Sequence, residues 1–84
     1  MDHLTRADLE TILDREGIDP IAYRLDGGVG ANECYVLDHG WRGWEVYYAE
    51  RGRKVGLRVF DSESEACGYF LTLVTGDSTT RRYP

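Results

Sequence analysis

Leu9, Ile12 and Leu13 recur at helical spacing between Arg6, Glu10, Asp14 and Arg15, so residues 5–16 are expected to form an amphipathic helix. Thr5, three residues before Asp8, supplies a hydroxyl for the free amides and is followed by an acid that the first turn favours. Gly17 offers a left-handed stop, and Pro20 cannot continue a helix. The period then drops to two. Ile21, Tyr23 and Leu25 alternate with Ala22 and Arg24, which predicts a strand. Residues 26–32, "DGGVGAN", hold three glycines and are expected to be a flexible loop.

Residues 33–38 read as a second strand, ended by His39 and Gly40, and residues 43–50 as a third. In the third, alternation sends Trp44, Val46 and Tyr48 to one face and Glu45, Tyr47 and Ala49 to the other. Residues 51–54 form a turn, after which Val55, Leu57 and Val59 are expected on the buried side of a fourth strand. Ser62 and Glu65 have capping-box spacing ahead of a helix that carries Ala66, Tyr69, Phe70, Leu73 and Val74 and ends near Gly76. The short connections predict an antiparallel four-stranded meander in the order α-β-β-β-β-α. Placing both helices on one sheet face gives a two-layer α+β fold. Residues 1–76 then form one domain, and the polar residues 77–84 a mobile C-terminal tail.

Length and charge restrict the function classes. A chain of 84 residues supports one core, burying roughly 60% of its unfolded surface. The formal charge is −5, unevenly spread: residues 1–50 hold 11 acids and 4 bases, a net of −7, whereas residues 51–84 hold 4 acids and 6 bases, a net of +2. Phosphate backbones call for the opposite sign, so the balance argues against nucleic acid and for a basic partner. No apolar run is long enough to span a membrane and no leader is visible, which leads us to expect a cytoplasmic chain that acts as a monomer or weak dimer. Cys34 and Cys67 both sit among apolar residues and read as buried thiols. With no CxxC spacing, no metal site is expected, and no cofactor motif is present.

Candidate chemistry is sparse. His39 beside Asp38 has no nucleophile that alternation would bring to it, and Glu63 and Glu65 are explained by their place in the first turn of a helix, so no catalytic residue is assigned. Arg51, Arg53, Lys54 and Arg58 near Tyr47 and Phe60 form the one basic cluster, the alternative reading being a small nucleic-acid or regulatory module built on residues 51–58. Edge protection explains the same cations. The sheet face away from the helices carries more information. Glu45, Tyr47 and Ala49 are expected there, open to water, with Arg58 and Phe60 from the next strand and either Tyr35 and Leu37 or Cys34 and Val36 from the previous one. Aromatics rimmed by the acids Asp26, Glu33, Asp38, Glu45 and Glu50, with Trp41 in the adjoining loop, match the anatomy of a protein-binding surface.

Residues 43–74, "GWEVYYAERGRKVGLRVFDSESEACGYFLTLV", extend this reading. Trp44, Val46, Tyr47 and Tyr48 lead through Glu50, Arg51 and Gly52 to Phe60, then to Ser62, Glu63, Glu65, Ala66 and Cys67 at a helix start. Together with Leu9–Leu13 and Tyr23–Gly28, this arrangement resembles small bacterial immunity proteins of polymorphic toxin systems, over about three quarters of the chain. The resemblance implies an antitoxin: a non-enzymatic protein that binds a cognate toxin domain and occludes its active site. The acidic charge suits a toxin with a basic cleft. The toxin-binding residues expected on this basis are Asp38, Trp41, Glu45, Tyr47 and Glu50.

Overall fold

A computed structural model of the chain describes residues 4–82. Helix α1 (Arg6–Arg15) is followed by a 3-10 turn at Pro20–Ala22, the strands β1 (Tyr23–Arg24), β2 (Cys34–Gly40), β3 (Gly43–Glu50) and β4 (Arg53–Phe60), helix α2 (Glu63–Thr75), and a 3-10 turn at Ser78–Thr80. Both helices start at the expected caps. Thr5 Oγ1 accepts from the Asp8 amide at 3.2 Å, and the Asp8 carboxylate accepts from the Thr5 amide at 3.3 Å. At α2 only the Ser62 half of the box forms, its hydroxyl accepting from the Glu65 amide at 3.1 Å. Glu63 instead accepts from the Arg6 amide at 2.9 Å and ties the two helix starts together.

The sheet order is β1-β2-β3-β4, and the fold is α+β. The sheet is mixed rather than wholly antiparallel: β1 runs parallel to β2, with Tyr23 opposite Tyr35 and Arg24 opposite Val36, while β2–β3 and β3–β4 are antiparallel. A parallel neighbour requires the chain to return to its starting end before the next strand. Residues 25–33 do so by crossing the sheet, held by Gly27 N–H to the Leu37 carbonyl at 3.2 Å and Glu33 N–H to the Ala49 carbonyl at 2.6 Å. The expected first strand at 21–25 shrinks to two residues because Asp19 caps a turn that Pro20 begins.

Both helices cover the same face. Leu9 and Leu13 of α1 and Ala66, Cys67, Phe70 and Val74 of α2 enclose Leu37 and Val46, all fully buried. Trp44, Tyr35 and Phe60 pack at the margin of this core. On the other face Cys34, Val36, Tyr47 and Ala49 form a second cluster, with Ala31 of the crossing loop and Leu57 of β4 against it.

Strand β4 departs from the expected pattern. Val55 and Val59, expected in the core, are 45% and 44% exposed, and only Leu57 is half-buried. The register slips between Val46–Arg58 and Tyr48–Val55, so two residues of β4, Gly56 and Leu57, stand opposite Tyr47. Gly56 takes φ +68°, which an L side chain rarely adopts, and this bulge reverses the alternation. Arg58 and Phe60 consequently face the helices, not the open side: the Arg58 guanidinium lies 5.2 Å from the Tyr69 ring and Phe60 5.3 Å from it.

Residues 77–82 are a clamp and not a free tail; residues 83–84 lie outside the described residues. The Asp19 amide donates to the Thr80 carbonyl and the Arg82 amide to the Gly17 carbonyl, both at 2.7 Å, and Ile18 bridges Arg81. Arg81 Nη1 donates to the Glu16 carbonyl at 2.6 Å and Arg82 Nη2 to that of Asp14 at 3.1 Å. Two cations therefore meet the negative end of α1.

Candidate protein-binding surface

The hairpin between β2 and β3 projects one large side chain into solvent. Gly40 pairs with Gly43, leaving Trp41 and Arg42 as a two-residue connection, and Trp41 is 94% exposed. His39, expected in the loop, belongs to β2 and stacks on Trp44 with ring centroids 4.0 Å apart and planes 2° from parallel. The Arg6 guanidinium lies 5.3 Å from the same Trp44 ring. Trp44 is thus absorbed by the fold, and Trp41 is left outside it.

Acids lie toward the Trp41 end of the sheet. Asp38 is half-buried in β2, and Gly27 lies against its carboxylate, so exposed Asp26 comes to the same end of the sheet. Among the described residues neither Asp38 nor Asp26 has an ion-pair partner. Glu45 is opposite Asp38 across the β2–β3 ladder and behaves differently. Its carboxylate accepts from Lys54 Nζ at 3.0 Å and from Arg42 Nη2 at 3.2 Å, and it is 6% exposed. Burial alone would raise the Glu45 carboxyl, but the hydrogen bonds and charges of Lys54 and Arg42 outweigh it and hold it below its usual value. The same carboxylate lifts Lys54 above its ordinary value, chiefly through the hydrogen bond.

Tyr47 does face the side away from the helices, yet it is 4% exposed. Gly28 of the crossing loop sits against it, so closely that a Cβ at Gly28 would overlap Tyr47 Oη. Burial raises the Tyr47 phenol, and Lys54 Nζ lies 5.1 Å from its ring. The expectation that Glu45, Tyr47 and Ala49 meet water is therefore corrected: a loop roofs Tyr47 and Ala49, and two cations enclose Glu45. Glu50 is exposed but ends β3 at the far end from Trp41, about 24 Å along the strand. Asp38 and Trp41 thus lie toward one end of the sheet, Glu45 stands opposite Asp38, Tyr47 lies under the loop, and Glu50 is at the other end.

Sequence reasoning counted Asp26 among the acids around this surface but not among the toxin-binding residues, and it missed the strap that carries it. The three glycines of residues 26–32 marked a loop, but not its path. Cys67 is buried in the helix-covered core, where burial pushes its thiol to about 11. Cys34 is buried on the other face, and both cysteines are free thiols. A shallow groove of about 560 Å³ between α1 and β1 mixes Arg6 and Arg24 with Glu10 and Asp26 and converges on no buried polar group. Among the described residues no group of His, Cys, Asp and Glu could hold a metal ion, and no helix is long and apolar enough to cross a membrane. Comparison with protein-family models, curated proteins and solved structures returns no match.

Proposed function

We propose that this chain is an immunity-type inhibitor that binds a toxin domain and closes its basic cleft with the acidic, aromatic tip of the β2–β3 hairpin. The observation that carries this reading is Trp41, 94% exposed at the end of the sheet toward which Asp38 and Asp26 lie, neither with an ion-pair partner among the described residues. An indole in water gains far more from burial than most surface groups, which is why Trp dominates binding hot spots. Carboxylates with no partner of their own keep their charge for a lysine or arginine across the interface and speed encounter with it. Glu45 and Tyr47 act at one remove. Glu45 holds Arg42 at the base of the tip, and Tyr47 fills the space beneath Gly28. Glu50 lies outside this patch and would contribute only where the toxin reaches the length of β3.

The test uses a toxic protein domain encoded beside this chain. Co-expression restores growth, and Trp41→Ala weakens the purified complex by about 30-fold, corresponding to a hot-spot loss near 2 kcal/mol. Asp38→Lys weakens it further and flattens its salt dependence. Unchanged affinity in both variants removes the tip from the interface, and failure to protect removes the inhibitor reading.

A further inference from the structure

β4 is a sheet edge that no other described strand pairs with on its outer side. It runs eight residues, Arg53–Phe60, pairs only with β3, and is exposed at Arg53–Gly56, Arg58 and Val59. The turn before it, Arg51-Gly52, has φ of +52° and +78°, the positive values of a tight two-residue hairpin. In such a hairpin the closing pair, Glu50 and Arg53, exchanges hydrogen bonds, and bonding alternates from there. Alternation along β3 directs Tyr48, Val46 and Trp44 toward β4, so Val55, Arg58 and Phe60 bond inward. The backbone groups of Lys54 and Val59 are left facing the open side.

Apart from Lys54, the cations along this edge have no carboxylate partner among the described residues. Arg6, Arg42, Lys54, Arg81 and Arg82 each lie within 4.0 Å of a carboxylate. Among the described residues Arg15, Arg24, Arg51, Arg53 and Arg58 have no such partner; the last three belong to the β4 hairpin, Arg51 and Arg53 with no ring against them and Arg58 with its guanidinium by the Tyr69 ring. Their sign opposes the −5 of the whole chain. An antiparallel copy of β4 would bring like charges together, which is how edge cations discourage self-pairing. A strand that carries carboxylates meets the opposite situation: open backbone groups for its own amides and carbonyls, and guanidinium groups for its side chains.

We propose that the β4 edge receives an extended acidic segment of a partner polypeptide as a fifth, added strand. The site is distinct from the hairpin tip and does not depend on the inhibitor reading. The probe is a capped ten-residue peptide of alternating Glu and Val, titrated into the isotopically labelled full chain and followed by amide NMR shifts. The expected result is shifts concentrated at Lys54, Leu57 and Val59, with binding about ten-fold weaker for the Lys-Val counterpart. Val59→Pro removes an outward amide while sparing the β3 ladder, and is expected to weaken binding by about ten-fold or more with the core spectrum unchanged. Should that variant unfold, Arg53→Glu, on an exposed side chain, serves the same purpose. The proposal is overturned by shifts at Trp41 alone, by equal binding of the Lys-Val peptide, or by no shifts at all. It is equally overturned by a β4-mediated dimer in the absence of peptide, or by a single-stranded oligonucleotide that reproduces the same shifts.

Discussion

On one face of the sheet Leu37 and Val46 lie under two capped helices; on the other Val36 and Tyr47 lie under a loop with three glycines. Both sets are almost wholly removed from water, but the means differ. The helices bring Leu9, Leu13, Phe70 and Val74, large side chains that interlock over the strands. The loop brings chiefly Ala31 and the bare backbone of Gly28, so Tyr47 itself fills the space. A helix satisfies its own backbone and can bury a wide apolar stripe, whereas a loop must anchor its backbone to the sheet bond by bond. The comparison predicts a firmly held face and one that depends on a few close contacts.

The largest expected effect lies on the helix side. Phe70→Ala empties the centre of that core and should cost about 3–5 kcal/mol, read from the urea midpoint. A loss below about 1 kcal/mol would mean that the helices are not the main cover. On the loop side Gly28→Ala pushes a methyl group into the Tyr47 hydroxyl and should cost about 1–3 kcal/mol. Adding Tyr47→Phe should recover part of that loss, because the atom in the way has gone. Faster amide exchange confined to residues 26–33 would locate the damage in the strap.

Glu45→Gln removes both ion pairs at the rim of the loop-covered face and should cost about 1–2 kcal/mol near neutral pH. The Glu45 carboxyl is held below its ordinary value of 4.5, so its contribution is complete above that pH and disappears as pH falls through the lower, folded value. The gap between wild type and Glu45→Gln should therefore narrow only on the acid side of 4.5. A gap that is constant with pH would show that charge is not its source. The smallest effect is expected at Trp41, where replacement by Ala should leave stability within about 0.5 kcal/mol, since the side chain covers nothing. A larger loss would show that the indole belongs to the fold and not to a partner.

Local signals carried much of this architecture. Thr5 and Asp8 marked the start of α1, Ser62 marked that of α2, and the alternation from Trp44 to Tyr48 assigned the faces of β3 correctly. Each involves residues within one or two turns of chain, where propensity and period decide the outcome. The faces of β4 beyond Gly56 came out reversed because that glycine added a residue to the strand, and a period-two pattern inverts after a single insertion. The candidate site was half legible. Trp41 was recognised as a glycine-bounded aromatic outside the strands, but the exposure expected for Glu45 and Tyr47 presumed that nothing crossed their face.

The chain by itself determined where its helices begin and end, which strands exist, and which residues of β3 share a side, because these follow from contacts between near neighbours. Only the tertiary structure decided that β1 runs parallel to β2, that the glycine loop covers Tyr47, that Arg42 and Lys54 enclose Glu45, and that residues 77–82 lock onto the end of α1. Those outcomes join residues far apart in sequence, and the path that brings them together leaves no periodic trace in composition or spacing.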